Sequence, residues 1–334
     1  MATIYQVSER AGVSLATVSR VINNNAKVSE KTRKKVEAAM AELGYRPNAS
    51  ARSLASNRSD SVGVMVSELN GPFYGPMMST IEHTLRSANK HVIIAAGHSN
   101  EEAEKAGIEF LISRNCDALI LHVEAVSDEF LLELSKGDTP IFLINRYLPQ
   151  LSEACVSLNN EKGGYLAAQA LIEAGHTKLA YISGPLWKND AKDRLKGHQR
   201  ALQDAGIAFN NALLYEGDYQ ESGGTQGIVE LLGKTDDFTA LVCANDEMAA
   251  GAMAKARELK LKLPAQLSIV GFDDIVFARY LWPRLTTVQY PIDEMGNMAA
   301  RLVLKNVYRV QDDKIYNQFD PVTIYRDSVH TLSS

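Results

Sequence analysis

Apolar residues recur three and four positions apart through the first 45 residues, and beyond residue 60 they gather into short continuous runs. Ile4, Val7 and Ala11 form one face of a helix predicted over 4–11, which Gly12 ends. Ser14 then caps a second helix, LATVSRVINN, with Val18, Val21 and Ile22 inward. A third helix, capped by Ser29 and stopped by Gly44, turns Val36, Ala39, Met40 and Leu43 inward. Two short helices about a tight turn containing glycine are the helix-turn-helix pattern, so residues 1–47 are predicted to be a three-helix domain. From residue 61 strand-like and helical segments alternate: VGVMV and a helix over 74–88, VIIAA and 101–113, ALILHV and 127–135, then IFLIN. A second round follows Cys155: a helix over 161–174, KLAYIS, 190–205, ALLYEG, 222–232, ALVCAN, 246–259 and LSIVGF. Such alternation predicts parallel sheets, and two rounds predict two doubly wound lobes with a cleft between them. The expected class is α/β with an N-terminal helix-turn-helix domain.

Between the two parts lies NASARSLASNRSD, polar except for Leu54. It reads as a linker, 48–60, that becomes a short hinge helix only when something fixes it. In that form Leu54 would wedge between base steps of a minor groove, with Arg52 and Asn48 holding the strands.

The net charge of −5 argues against a nucleic-acid binder, but the charge is unevenly placed. Residues 1–60 hold ten Lys/Arg against five acidic residues, a net of +5, and the remaining 274 residues carry −10. A basic module on an acidic body means two tasks on one chain, and only the first suits a polyanion. A helix-turn-helix places the N-terminus of its second helix in the major groove. Here that presents Leu15 and Ala16 for apolar contact and Arg20 for a bidentate bond to guanine. Ser14, Thr17, Ser19, Asn23, Ser29 and Thr32 are small polar groups suited to phosphate oxygens, each equally readable singly as a cap or an exposed residue.

In open α/β sheets ligands bind beyond the carboxyl ends of the strands, and the loops there carry carbohydrate-type chemistry. They hold Phe73 and Tyr74, Asn145 and Arg146, Trp187 to Asp190 and Arg194, Tyr219, Asn245 and Asp246, and Asp273 and Asp274. A neutral polyol needs amide and carboxylate acceptors, a guanidinium fork and aromatic walls. Each Asp or Asn reads equally as a cap of the next helix, Asp246 in particular, and Trp187 as a stacking face or a packing residue.

Enzyme and metal chemistry find no support. There is no GxGxxG after a strand, no GxxxxGK[ST], no GxSxG and no HExxH. The seven histidines are scattered and expected at the surface or as caps, and Cys116, Cys155 and Cys243 are too far apart for a CxxC pair. Neither a metal nor another cofactor is expected. No apolar run approaches the ~20 residues of a membrane span, and Met1 opens no signal peptide, so a cytoplasmic protein is expected rather than a secreted sugar-binding protein.

The segments IYQVSERAGVSLATVSRVIN, VSEKTRKKVEAAMAELGYRPN and ARSLA resemble the lactose/galactose repressor family of bacterial transcription regulators, and SGPLWKNDAKDRLKG, AND, GFDD and PRLTTV resemble its effector-domain motifs. The resemblance implies a sugar-responsive repressor of carbohydrate-utilisation genes with a body of periplasmic-binding-protein type. It implies a homodimer on a pseudo-palindromic DNA operator, with Ile4, Tyr45, Ala51 and Ala55 joining the DNA contacts. It makes Arg194, Asn245 and Asp273 the core of the sugar site, with Phe73, Tyr74, Lys188, Asp190 and Tyr219 as walls beside Asn145. Asn159 stands where relatives differ, so its role is open. The body would span 61–334, one lobe about 61–158 with 290–320 and the other about 159–289 with 321–334. Galactose, glucose and β-glucosides are the effector classes implied, as inducer or corepressor.

Overall fold

A computed structural model of the chain describes residues 2–22, 28–46, 58–235, 237–312 and 314–332. It divides into two compact units, Met1–Asp60 and Ser61–Ser334.

The first unit holds α1 (Ile4–Ala11), α2 (Leu15–Ile22) and α3 (Glu30–Glu42). Thr3 caps α1 in a reciprocal box with Gln6, and Gly12 ends it at φ +62°, a left-handed conformation that costs glycine nothing. Ser14 accepts the Thr17 amide to start α2 (3.2 Å), and Ser29 accepts that of Thr32 to start α3 (3.3 Å). Val7, Ala11, Val18, Val21, Val36 and Ala39 are buried together as the core, and an exposed Arg10–Glu42 ion pair joins α1 to α3 (2.7 Å).

The second unit contains two six-stranded sheets. The first has the order β11-β5-β4-β3-β1-β2 and is parallel throughout. It comprises β1 (Ser61–Val66), β2 (His91–Ala96), β3 (Ala118–Leu121), β4 (Ile141–Ile144), β5 (Cys155–Leu158) and β11 (Gln318–Phe319). Helices α4 (Tyr74–Ser87), α5 (Glu101–Ser113) and α6 (Asp128–Leu134) connect the first strands. The second sheet has the order β12-β10-β9-β8-β6-β7. Its strands are β6 (Leu179–Ser183), β7 (Leu214–Glu216), β8 (Ala240–Cys243), β9 (Ser268–Asp273), β10 (Thr286–Gln289) and β12 (Val322–Ile324), the last antiparallel to β10. Helices α7 (Asn160–Ile172), α8 (Asn189–Asp204), α9 (Glu221–Lys234) and α10 (Asp246–Glu258) belong with it. The chain returns to the first lobe through α11 (Ile292–Asn306), packed on α4, β4 and β5, and closes each sheet with a terminal strand.

The periodic pattern accounts for the strands through β4 and from β6 to β9, since β3, β4, β6, β8 and β9 are buried throughout, as central parallel strands require. It passes over β5 and β10 to β12: Ser157 interrupts β5, Thr286, Thr287 and Gln289 make β10 mostly polar, and β11 and β12 have only two and three residues. The histidines depart from expectation, because His122, His176 and His198 are buried. His176 bridges Thr239 (2.8 Å) and the His330 carbonyl (3.0 Å). His198 lies against the Tyr181 ring, and neither of its nitrogens has a hydrogen-bond partner. Among the described residues no helix is long and apolar enough to cross a membrane.

Burial lowers the pKa of His198 to about 3. Unfolding therefore takes up a proton between pH 6.5 and about 3, and the stability His198 allows at neutral pH drains away as pH falls through that window. Relative to His198→Leu, the parent should lose about 2 kcal/mol between pH 7.5 and pH 5. Urea unfolding of both proteins at the two pH values measures this, and an unchanged difference would contradict the buried neutral imidazole.

Candidate functional site

On the helical unit, Leu15, Ala16, Ser19 and Arg20 face solvent at α2, opposite buried Val18 and Val21. The hydroxyls of Ser14 and Thr17 meet at 2.9 Å, as do those of Ser29 and Thr32, so both pairs mark helix N-termini, where backbone amides attract phosphate. Ile4 and Tyr45 are half-buried against the helical core. Asn23, Asn48, Ala51, Arg52, Leu54 and Ala55 lie outside the described residues, and with them the expected hinge.

In the second unit the carboxyl ends of the two sheets face each other across a cavity of about 300 Å³. Phe73, Tyr74, Asn145, Lys188, Asp190, Arg194, Tyr219, Asn245 and Asp273 all line it. Arg146 does not, because Asp128 holds it elsewhere (2.6 Å). Asp274 also turns away, onto Arg326, and leaves the cavity to Asp273.

Arg194 is the buried centre of the site. It is 2% exposed and lies over the Phe272 ring, 3.7 Å from its centroid. Its Nε donates to Asn160 Oδ1 (2.9 Å) and one terminal nitrogen to the Ala244 carbonyl (2.6 Å). Asp273 stands 3.6 Å and Asp190 4.0 Å from its terminal nitrogens. Burial opposes the charge, yet Tyr219, Asp273 and Asp190 outweigh it and hold the guanidinium pKa above its ordinary value. Asn160 passes the network on by donating to Asn145 Oδ1 (3.1 Å), across from the second lobe to the first. A glycine pair sets the depth of Arg194: a Cβ on Gly164 would lie 1.9 Å from the Arg194 carbonyl oxygen, and one on Gly197 1.9 Å from that of Glu161. Only two glycines let α7 and α8 come this close.

Several lining residues are held in strained backbone. Asn145 (φ +59°), Tyr219 (φ +67°), Asp273 (φ +111°) and Ser99 (φ +48°) all occupy positive φ, which costs a side-chain-bearing residue roughly 1–3 kcal/mol and concentrates where a ligand must be met. Buried polar atoms without a partner concentrate there too. Of seven such side-chain atoms without a hydrogen-bond partner among the described residues, four belong to residues that line the cavity: His122 Nε2, Tyr219 Oη, Asp273 Oδ1 and Tyr290 Oη. Burial lowers the His122 pKa, keeping that ring neutral.

Two expected wall residues have other commitments. Lys188 bridges the lobes, donating to Glu124 (2.6 Å) and Ser99 (3.1 Å). Burial resists the Glu124 charge, and the Lys188 ammonium outweighs it, holding the carboxyl below its ordinary pKa. Asn245 caps α10 by accepting from the Met248 amide (2.9 Å) and donates to the Tyr219 carbonyl (2.8 Å). Asp246 is not the cap; it is buried and accepts from Thr287 (2.6 Å) and the Ile275 amide (3.0 Å). Asn159 caps α7 at the Lys162 amide (3.0 Å), so its neighbour Asn160 is the one that reaches Arg194. Sequence reading passed over His122, Glu124, Asn160 and Tyr290. The strand-end rule finds His122 once the strand is ended at Leu121, and it reaches Glu124 directly after the run ALILHV. No group of three or more His, Cys, Asp or Glu side chains placed to hold a metal occurs among the described residues.

The model for bacterial regulatory proteins of the lacI family matches residues 3–48, and that for a periplasmic binding protein-like domain matches 168–329. The chain is 43% identical to the HTH-type transcriptional regulator GalR of Escherichia coli K12 over 333 residues, covering all of this chain and 97% of that protein. It is 33% identical to the ribose operon repressor of Haemophilus influenzae, covering 99% and 100%. Among solved structures, the lac repressor dimer bound to operator and the anti-inducer ONPF superposes with a TM-score of 0.87 at 30% identity, over 98% of this chain and 99% of that one. A complex of the transcriptional regulator CelR with cellobiose gives 0.71 at 30% identity, over 98% and 100%. These relatives are named as transcriptional regulators, not enzymes.

Gly164→Ala should lower the thermal midpoint by several degrees, the effect of about 1–3 kcal/mol of overpacking. Gly233, in α9 with open space at its Cβ, is the control: Gly233→Ala should leave the midpoint unchanged or raise it. Equal effects in differential scanning calorimetry would contradict the close helix approach.

Proposed function

The chain belongs to the lacI family of bacterial regulatory proteins, and from that premise we propose that it is a dimeric transcriptional repressor of carbohydrate-utilisation genes whose operator affinity is set by a small uncharged sugar in the cavity. The observation that carries the ligand reading is the convergence on one chamber of four residues with a buried polar atom that has no hydrogen-bond partner among the described residues. Leaving such atoms unsatisfied costs about 1–3 kcal/mol each, and a polyhydroxylated ring supplies their partners. Charge narrows the class further. Six carboxyl groups line the chamber (Glu68, Glu124, Asp190, Asp218, Glu247 and Asp273) against two cations, Lys188 and Arg194, both already engaged. A phosphate or a uronate would find no cation to spare; a neutral hexose or β-glucoside finds acceptors, phenols and the faces of Phe73 and Tyr74.

On the DNA side, exposed Leu15, Ala16 and Arg20 support major-groove reading by α2, and a pseudo-palindromic operator requires a twofold dimer. Exposed apolar side chains support such a dimer: Ile94 on edge strand β2, and Tyr280 and Trp282, each over three-quarters exposed. Sugar binding between the lobes changes how they sit, and a coupling of about 1–3 kcal/mol would alter operator affinity roughly 5–150-fold. On this reading the protein works in the cytoplasm.

The two tasks should separate by mutation. Asp273→Asn should keep operator affinity within about threefold while abolishing the response to sugar, and Arg20→Ala should cost about 1–3 kcal/mol of operator binding while sugar affinity stays unchanged. Fluorescence anisotropy on an operator duplex at fixed salt, with calorimetry for the sugar, reads both. An Asp273→Asn protein that still responds would overturn the assigned pocket.

A further inference from the structure

Trp187 is half exposed at the mouth of the cavity, and it belongs to none of the apolar clusters of the body. Packing therefore does not explain it. The turn that carries it is nevertheless fixed: the Leu186 amide donates to Glu216 (2.8 Å), the Lys188 amide to the Pro185 carbonyl (2.9 Å), and the Lys188 ammonium, 5.3 Å from the indole centroid, is tied to Glu124 on the opposite lobe. A large aromatic face is thus held in water at a set position beside a chamber whose buried end already has its own aromatic walls and partnerless polar atoms. On the same rim the side chains of Gln220 and Glu247 have no hydrogen-bond partner among the described residues. An exposed indole next to polar groups without partners is the arrangement that accepts the apolar face of a sugar or aryl ring while bonding its edge.

We propose that the cavity has two subsites and that its ligand is an uncharged glycoside of two rings, the inner ring at Arg194 and Asp273 and the outer ring stacked on Trp187. The outer ring is a second sugar or an aryl aglycone, since both offer a flat face to the indole. This inference rests on the cavity being a carbohydrate site.

Isothermal titration of the full-length protein with glucose, galactose, cellobiose, lactose and phenyl β-glucoside tests it. At least one glycoside should bind about tenfold more tightly than the hexose that forms its inner ring, the scale of one aromatic contact. In Trp187→Ala that ratio should collapse to near one, and Trp187→Phe should retain part of it. Preference for the disaccharides identifies a second sugar as the outer ring, and preference for phenyl β-glucoside an aryl aglycone. Hexoses binding as tightly as their glycosides, or an unchanged ratio in Trp187→Ala, would overturn the outer subsite while leaving the inner site standing. Binding of none of the five would overturn the carbohydrate reading itself, and the subsite with it.

Discussion

A guanidinium buried to 2% exposure is the constraint around which the effector half of this protein is arranged. A charge removed from water is tolerated only when its hydrogen bonds are met and opposite charge stands close. Arg194 obtains the first from Asn160 and the Ala244 carbonyl and the second from Asp273 and Asp190. Each of these demands shapes the surrounding fold. The helix bearing Arg194 must come within backbone contact of α7, hence Gly164 and Gly197. Asp273, the last residue of β9 and still paired with Gln289, takes positive φ beside the guanidinium. Asn160 in turn engages Asn145 from the other lobe, so the charge that anchors the cavity is also linked to the closure of the cleft.

That linkage is what makes the cavity suitable for control. The lobes meet across it through Lys188, Glu124 and Ser99 and through the Asn145–Asn160 bond, all polar contacts between rigid sheets. A ligand that meets Tyr219, Tyr290 and Asp273 at the second sheet and His122 at the first gains most where both lobes reach it, and so favours one arrangement of the lobes over another. A body with a net charge of −10 repels DNA, which leaves operator affinity to the small basic unit and to how the body presents it.

Much of this was legible in the sequence for identifiable reasons. The three helices of the first unit announce themselves because Val7, Val18 and Val36 sit in narrow stripes bounded by Gly12, Ser14, Ser29 and Gly44. The strands buried throughout are equally plain, and because a ligand in such a fold sits beyond strand ends, the loops after them and the helix starts they lead into hold ten lining residues legible in this way. What stayed hidden depends on three-dimensional closure. Tyr290 follows β10, whose Thr286, Thr287 and Gln289 leave no apolar run, and β11 and β12 have only two and three residues, too few for a period. His122 falls inside the apolar run ALILHV, whereas the strand ends at Leu121, and Glu124 is a lone acid after that run with nothing local to mark it. The commitments of Lys188 and Asn245, to a partner lobe and to a helix cap, have no local signature, nor does the positive φ of Tyr219, a residue that ordinarily avoids it.

Reciprocity between the two binding events is the central claim in measurable form, because linkage requires that a sugar which changes operator affinity by some factor must have its own affinity changed by the same factor when operator is bound. Calorimetric titration of the effective sugar into the free protein and into its saturated operator complex, at one salt concentration, measures both sides. The sugar dissociation constant should move by the same factor as the operator dissociation constant, on the order of 5- to 150-fold. Identical sugar affinity with and without operator would show that the cavity and the DNA-reading helices are not coupled.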